Sequence, residues 1–321
     1  MEERLIQHKA IVPADLSLMR FDQAAVTLFP QYSRSRLQQW IESGELTLDG
    51  KKEKRKTKVP LGSHIEINAQ PDVTYHKAEN IPLNIVFEDE SLLVLNKPTG
   101  LVVHPGAGNQ SGTLLNALLY YCPQLESIPR AGIVHRLDKN TTGLMVVAKT
   151  LESQNSLVQQ LQAREVKRIY EAVAYGVIPL MGKVDAPIGR HPQTRIKMSV
   201  QQDGKEAITN YKPLNNFKSH THLELALETG RTHQIRVHMR YVGHPLVGDP
   251  AYGGTFKMPP EKPEIELVDC IRDFPRQALH ARRLSFDHPV TGEVLEFEAE
   301  LPEDIVQLLH LLKRNEAPRV S

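Results

Sequence analysis

Apolar positions change period along the chain, and each change predicts an element. The first seventeen residues show no period and read as a leader. Phe21, Ala24, Ala25 and Leu28 then fall on one helical face, and Pro30 ends that helix. Ser33 is placed to cap a second helix whose buried stripe is Leu37, Trp40 and Ile41, with Gly44 as its closing glycine. Leu46-Thr47-Leu48 predicts a short strand and Asp49-Gly50 a turn; Ile65 and Ile67 share one face of a further strand. Residues 68–80, with Pro71 and no apolar period, read as a linker. The divisions are therefore a leader (1–17), a small unit with its linker (18–80) and a large domain (81–321).

Beyond Ile81 strands dominate. Residues 85–87 and 92–95 predict a strand pair around an acidic turn, with Asn96-Lys97-Pro98 breaking the second strand. Residues 101–103 read as a short strand, 104–108 as a glycine loop and 114–121 as a helix. Thr150 caps a helix carrying Leu157, Val158 and Leu161 on one side. Residues 169–174 alternate as a strand containing Tyr170, and 222–228 alternate again with Leu223, Leu225 and Leu227 inward. A turn at 229–231 leads into a helix with Thr232 as its cap, and 243–254 is a loop. The last helix, 304–313, aligns Ile305, Leu308, Leu309 and Leu312.

Composition narrows the class only a little. With 321 residues, 40% of them hydrophobic, the chain can build one large domain and a small one. A net charge of +1 does not advertise a nucleic-acid partner. Two cysteines, Cys122 and Cys270, lack metal-type spacing, which argues against a disulfide framework and fits the cytoplasm. No secretory signal is expected among the charged residues Glu2, Glu3, Arg4, His8 and Lys9, and no run has the length of a transmembrane helix. Local charge says more. Residues 51–58 carry six cations and one acid. A charge run is usually a solvated face, but Lys51, Lys52, Lys54 and Arg55 follow a helix that opens with Arg34 and Arg36. Together they predict a basic surface suited to phosphates.

The candidate chemistry concentrates in residues 132–148. His135, Arg136, Asp138 and Lys139 lie between apolar runs, which predicts charges facing a cleft rather than bulk solvent. Asp138 is the only carboxylate there, and the flanking cations favour its ionised form, suited to a nucleophile or base. Spacing alone favours a plainer reading, a structural aspartate that caps a turn or pairs with Arg136. Taken singly, Tyr170 and Arg236 also read as packing and surface residues. The glycines of 104–108 are turn formers, since no Lys-Ser/Thr follows and the dinucleotide spacing is absent. His233 and His238 fall on different helix faces with no Cys or acidic partner at ligand spacing, so no metal is expected. No Gly-x-Ser-x-Gly elbow exists for a serine triad.

Two resemblances change the weighing. The order helix, helix, strand, basic loop, strand resembles the S4 RNA-binding domain. It rests on Arg20-Phe21-Asp22, Ser33-Arg34-Ser35-Arg36, residues 44–50 and Leu61-Gly62, with Phe21 where that family usually has leucine. His135-Arg136-Leu137-Asp138-Lys139 followed by Thr141-Thr142-Gly143-Leu144, residues 167–172 around Tyr170, and residues 230–238 around Arg236 closely resemble the RluA family of RNA pseudouridine synthases. That likeness runs through Asn96-Lys97-Pro98, His104-Pro105-Gly106, Arg190-His191-Pro192 and residues 244–250, and covers essentially the whole chain.

The resemblance implies an α+β fold: a catalytic domain on a large mixed, mainly antiparallel sheet, plus a small N-terminal S4-type domain. It implies an isomerase that converts uridine to pseudouridine without a cofactor. In that reading Asp138 is the catalytic carboxylate, either attacking C1′ or taking a proton from C2′, and Arg236 is its buried cation. Tyr170 stacks on the target base and serves proton transfer at C5, Ile235 packs on the base's other side, and Arg136 fills the space the base vacates. The implied partner is 23S ribosomal RNA, or a large-subunit precursor particle, with uridines of the helix 69 loop as targets. The enzyme is expected to be a cytoplasmic monomer with no membrane contact. Two rivals stand beside this: a non-catalytic S4-type ribosome-assembly factor, and a synthase of the same family acting on transfer RNA. The first would not require Asp138, Tyr170 and Arg236 together.

Overall fold

Phe21, Leu37, Trp40, Ile41, Leu46 and Ile65 are fully buried and form the core of the N-terminal unit, residues 1–75. The computed structural model describes residues 5–32, 34–69, 77–106, 108–194, 196–253 and 263–316. In this unit β1 (Ile6–Ile11), α1 (Phe21–Leu28), α2 (Arg34–Ser43), β2 (Leu46–Leu48) and β3 (His64–Ala69) build two helices on a three-stranded antiparallel sheet of order β1-β3-β2. Both predicted helices form with the expected stripes inward. Ser33, the expected cap of α2, lies outside the described residues.

The expected leader, 1–17, contains a strand, because β1 pairs with β3 along its whole length; residues 1–4 lie outside the described residues. Most of its side chains face solvent, so it has no apolar alternation to read. The expected linker is also shorter at both ends. Asn68 and Ala69 belong to β3, and Lys77 and Glu79 are hydrogen-bonded to Asn116 in the second unit. Residues 70–76, including Pro71, lie outside the described residues.

The second unit spans residues 76–321. Its strands and helices are β4 (Ile85–Glu88), β5 (Leu92–Lys97), α3 (Leu114–Tyr121), β6 (Thr142–Ala148), α4 (Leu151–Ala163), β7 (Lys167–Tyr175), β8 (Gly182–Asp185), β9 (Ile188–Arg190), β10 (Met198–Val200), β11 (Ile208–Asn216), β12 (His220–Leu227), α5 (Gln234–Tyr241), α6 (Ile265–Arg272), β13 (Leu279–Asp287), β14 (Val294–Glu298) and α7 (Glu303–Arg314). One nine-stranded sheet runs β4-β5-β6-β13-β7-β12-β11-β8, with β14 added to β13, while β9 and β10 form a separate pair. Among the strands of the described residues, only β13 and β6 pair in parallel. This is the mixed, mainly antiparallel sheet that the resemblance implies.

The middle of that sheet is covered on both faces. Leu93, Leu95, Met145 and Val147 pack in one core with Leu114, Leu115 and Leu118 of α3. Leu92, Val94, Leu144 and Val146 pack in another with Leu157 of α4. Strands buried on both sides read as continuous apolar runs rather than alternations, as β5 and β6 do. Val173 and Val247 join α6 and α7 in a third core.

Local differences have local causes. Val102 makes a single bridge to Thr113, so residues 101–103 are not a strand. The strand expected to break at Asn96 continues to Lys97, with Pro98 ending it. Thr150 caps α4 as predicted, accepting from the Ser153 N–H at 3.1 Å. Helix α5 begins one residue later than Thr232 predicts. His233, in the left-handed region at φ 56°, takes the cap position without a side-chain cap bond. Cys122 and Cys270 are both free. Among the described residues no helix is long and apolar enough to cross a membrane.

Candidate active site

Asp138 sits in a loop that two glycines confine. At Gly132, φ is +75° and a Cβ would lie 1.9 Å from the Ala148 carbonyl oxygen. At Gly143, φ is +117° and a Cβ would lie 2.3 Å from the Ala281 carbonyl oxygen. Only glycine lets the loop leave and rejoin the sheet this tightly. Between them, Ile133 bridges to Val147 and folds the loop back over β6. The His135 ring accepts from the Val146 N–H at 3.1 Å, and burial with the charge of Arg168 pulls its pKa down to about 3. It is a neutral structural group.

Three further side chains hold the loop from outside it. Lys97 is completely buried at the end of β5. Its Nζ donates to the carbonyls of Pro98, Leu101 and Lys139 at 2.8, 3.0 and 3.0 Å. Those bonds use all three ammonium protons. Burial pulls its pKa down to about 7, while the charge of Asp138 acts the other way. Gln277 donates to Thr141 Oγ1 at 2.9 Å, and Arg276 donates to the Asn140 carbonyl at 3.2 Å. Arg276 is itself forked onto Asp304 of α7, at 2.6 and 2.8 Å.

The partner of Asp138 is Arg236 on α5, not the adjacent Arg136. Arg236 Nη1 donates to Asp138 Oδ2 at 2.9 Å. The other edge of the guanidinium is taken by buried Asp249, with Nε donating to Oδ2 at 2.7 Å and Nη2 to Oδ1 at 2.9 Å. Asp249 is fixed in turn by the N–H groups of Ala251 and Tyr252, at 2.9 and 3.0 Å. Arg236 also lies over the Tyr252 ring, 5.0 Å from its centroid. A planar guanidinium held by a fork on one edge has its remaining donor direction set, and that direction is Asp138. Burial opposes the charge of Arg236, but the bonds and charges of the two aspartates raise its pKa above the ordinary arginine value.

His233 is a neighbour that the motif reading assigned no role. Its Nε2 is 3.8 Å from Asp138 Oδ1, and its Nδ1 is 2.8 Å from the Tyr252 hydroxyl. Burial lowers its pKa against the pull of Asp138. His238 points elsewhere, to Thr209 Oγ1 and the Ala186 carbonyl at 2.9 Å each. The two histidines diverge as their spacing predicts.

Tyr170, Ile235, Leu137, Leu227 and Leu279 line the same pocket as Asp138, giving it apolar walls around one ion pair. Tyr170 and Ile235 are 6% and 4% exposed. Burial pushes the Tyr170 phenol above its ordinary pKa; Arg168 opposes the shift and Asp138 adds to it. Arg136 is exposed at the rim. There the pocket opens into a cleft of about 830 Å³ whose walls also include Arg136, Tyr170 and Leu227. The structure thus brings together Asp138, Tyr170, Arg236, Ile235 and Arg136.

In the N-terminal unit Arg34, Lys51, Lys52, Lys54 and Arg55 are exposed. Arg36 is half-buried and lies over Trp40, 5.0 Å from the ring centroid. Arg55 bonds Glu42 at 3.0 Å and Gln38 at 3.3 Å, so its charge is partly spent within the unit. Nearby Asp22 is buried, which works against its charge, but the bonds and charge of Arg20 hold its carboxyl below the ordinary value. The missed residues are chiefly Asp249 and His233. A Gly-Asp-Pro at 248–250 was the one available signal for the first, since Gly and Pro pin the backbone around a lone carboxylate.

Comparison with known proteins identifies the family. The RNA pseudouridylate synthase family matches residues 91–241, and the S4 domain matches residues 19–65. A Pseudomonas aeruginosa protein named ribosomal large subunit pseudouridine synthase D is 55% identical over 312 residues, covering 97% of each chain. A Yersinia pestis protein of the same name is 53% identical over 310 residues, covering 96% of this chain and 95% of that one. Among solved structures, human RNA pseudouridylate synthase domain containing 4 has a TM-score of 0.56 at 29% identity, covering 72% of this chain and 93% of that one. The chain belongs to the RNA pseudouridylate synthase family, and it is an RNA pseudouridine synthase with an N-terminal S4 domain.

Proposed function

We propose that this enzyme isomerises uridines of 23S ribosomal RNA, in the loop of helix 69, and that Asp138 is its catalytic carboxylate. The observation that carries the reading is the 2.9 Å ion pair between Asp138 and a doubly anchored Arg236, inside a pocket walled by Tyr170 and Ile235. The substrate assignment rests on relatives named for the ribosomal large subunit. The substrate is the RNA itself or a large-subunit precursor particle, in the cytoplasm, with the protein acting as a monomer.

The chemistry balances without a redox partner. The N1–C1′ bond breaks, the uracil turns, C5 bonds to C1′, the C5 hydrogen leaves as a proton and N1 takes one up. No cofactor is required by that balance. Asp138 acts at the sugar in its ionised form, and the bond from Arg236 aims it. Tyr170 and Ile235 clasp the flat base from two sides, and the neutral phenol of Tyr170 is placed to pass a proton at C5. Removing a base from a stem loop costs a few kcal/mol, and Arg136 at the rim enters the vacated stack to offset part of it.

Tritium release from RNA labelled at uridine C5 tests the reading, because forming C5–C1′ expels that hydrogen. Wild type is expected to release tritium from 23S ribosomal RNA and not from bulk transfer RNA. Asp138→Asn should release none while binding RNA nearly as well. Release from transfer RNA alone would overturn the substrate, and turnover by Asp138→Asn would overturn the role of the aspartate.

A further inference from the structure

The cleft beside the Asp138 pocket contains a cation, Arg168, that has no partner among the described residues. Arg168 lies two residues before Tyr170 on β7, so the two side chains leave the same face of the strand, about 7 Å apart along it. Arg168 is 8% exposed and lines the cleft. Its Nε is shut off from solvent without a hydrogen-bond partner, and among the described residues the guanidinium makes no hydrogen bond or ion pair. Burial pulls its pKa below the ordinary arginine value, and only the Tyr170 phenol opposes the shift.

The surroundings keep acceptors away from it. A Cβ at position 230 would lie 2.7 Å from Arg168 Nη1, so Gly230 leaves room for the guanidinium. The cleft has two carboxylates, Glu206 and Glu228, and Arg164 engages both, at 2.7 and 3.4 Å. Arg130, Arg136 and Arg231 line it as well, with no carboxylate within ion-pair distance among the described residues. An unpaired buried cation is destabilising unless something brings acceptors to it. The planar fork of N–H donors fits two oxygens of one phosphate.

The place of the cleft says which phosphate. It shares Arg136, Tyr170 and Leu227 with the Asp138 pocket, so a nucleotide whose base enters that pocket leads its backbone through the cleft. We propose that Arg168 binds a phosphodiester adjoining the extruded uridine, as the anchor that holds the nucleotide while its base turns. The inference rests on the reading above, that the pocket receives a uridine.

Methylphosphonate substitution tests it, because it removes the charge of one phosphate and leaves the chain intact. A helix 69 hairpin would carry one methylphosphonate at each position flanking the target uridine in turn. With wild type, one position is expected to lower kcat/KM about 10- to 100-fold. Arg168→Met should lose a similar factor on unmodified RNA and less than twofold more on that modified RNA, since both changes delete the same interaction. Additive losses, or a wild type indifferent to every position, would overturn the proposal. Arg168→Lys keeps a charge without the fork and should fall between the two; it replaces Arg168→Met if the latter fails to fold. A wild type that turns over the unmodified hairpin but ignores the substitutions refutes only this inference. Lack of turnover on the unmodified hairpin refutes the substrate reading, and the same cycle read as Kd by fluorescence anisotropy then still decides the phosphate interaction.

Discussion

Asp138 shows how far a single residue can be read from its neighbours in sequence. The loop of 132–148 announced a carboxylate among cations, and the structure places it in a cleft, 16% exposed at the side chain. Its partner was not legible locally. Adjacent Arg136 turns to the rim, and the ion pair goes to Arg236, 98 residues on. Asp249 completes the arrangement by fixing the far edge of that arginine. Asp249→Asn would remove the charge and turn one acceptor of the fork into a donor facing a guanidinium N–H, which lets the guanidinium rotate. Displacement of a reacting group by about 1 Å can cost about 10²-fold in rate. Tritium release at saturating RNA should therefore fall by about that factor while KM stays close to wild type, since Asp249 is buried behind Arg236. Turnover within twofold of wild type would remove Asp249 from the site's support.

At the scale of elements, the catalytic loop depends on pieces that arrive late in the chain. Strand β13 meets β6 in parallel, at His280 with Thr142 and Ala281 with Gly143. Just before β13, Arg276 ties the Asn140 carbonyl to Asp304 on α7. The apolar stripe of α7 was plain in the sequence, but the stripe explains only why the helix packs. Its attachment to the loop runs through a polar residue at its start. Asp304→Asn leaves Arg276, 3% exposed at its side chain, without its counter-charge. Because Asp304 is itself 30% exposed, the cost is about 2 kcal/mol, below the full penalty for a dry pair. Urea denaturation should show that loss. Tritium release should show a lower kcat with little change in KM, because the loop loosens while the RNA surface is untouched. An unchanged kcat would confine Arg276 to a stabilising role.

At the scale of the molecule, two units divide the work. The synthase unit carries the ion pair and its pocket, and the S4 unit carries exposed Arg34, Lys51, Lys52 and Lys54. Contacts to phosphates act through charge and salt, not through bond chemistry. Replacing Lys51, Lys52, Lys54 and Arg55 with neutral residues should weaken RNA association and reduce the salt slope, by about 0.7 for each single-strand phosphate that the loop no longer neutralises. The effect of Arg55 should be the smallest, since it already pairs with Glu42. Turnover at saturating RNA should match wild type. Equilibrium binding across a salt series, run beside tritium release, separates the two, and a fall in saturating turnover would place the loop in the chemistry.

What the sequence determined by itself was local in origin. Apolar spacing set α1, α2, α4 and α7, turn and cap residues marked ends such as Pro30, Gly44 and Thr150, and short motifs singled out Asp138, Tyr170 and Arg236. These follow from neighbours within a turn or two of the chain, where period and capping act. Tertiary structure alone decided that β1 is a sheet edge and that Lys97, Asp249 and Arg276 hold the site together; it also carries the pairing of Asp138 with Arg236 rather than Arg136, which the motif resemblance implied and local spacing did not. Each depends on groups far apart in sequence and close in space, where burial makes every charge find a specific partner. Arg168 is the case in which burial is present and no partner is found among the described residues.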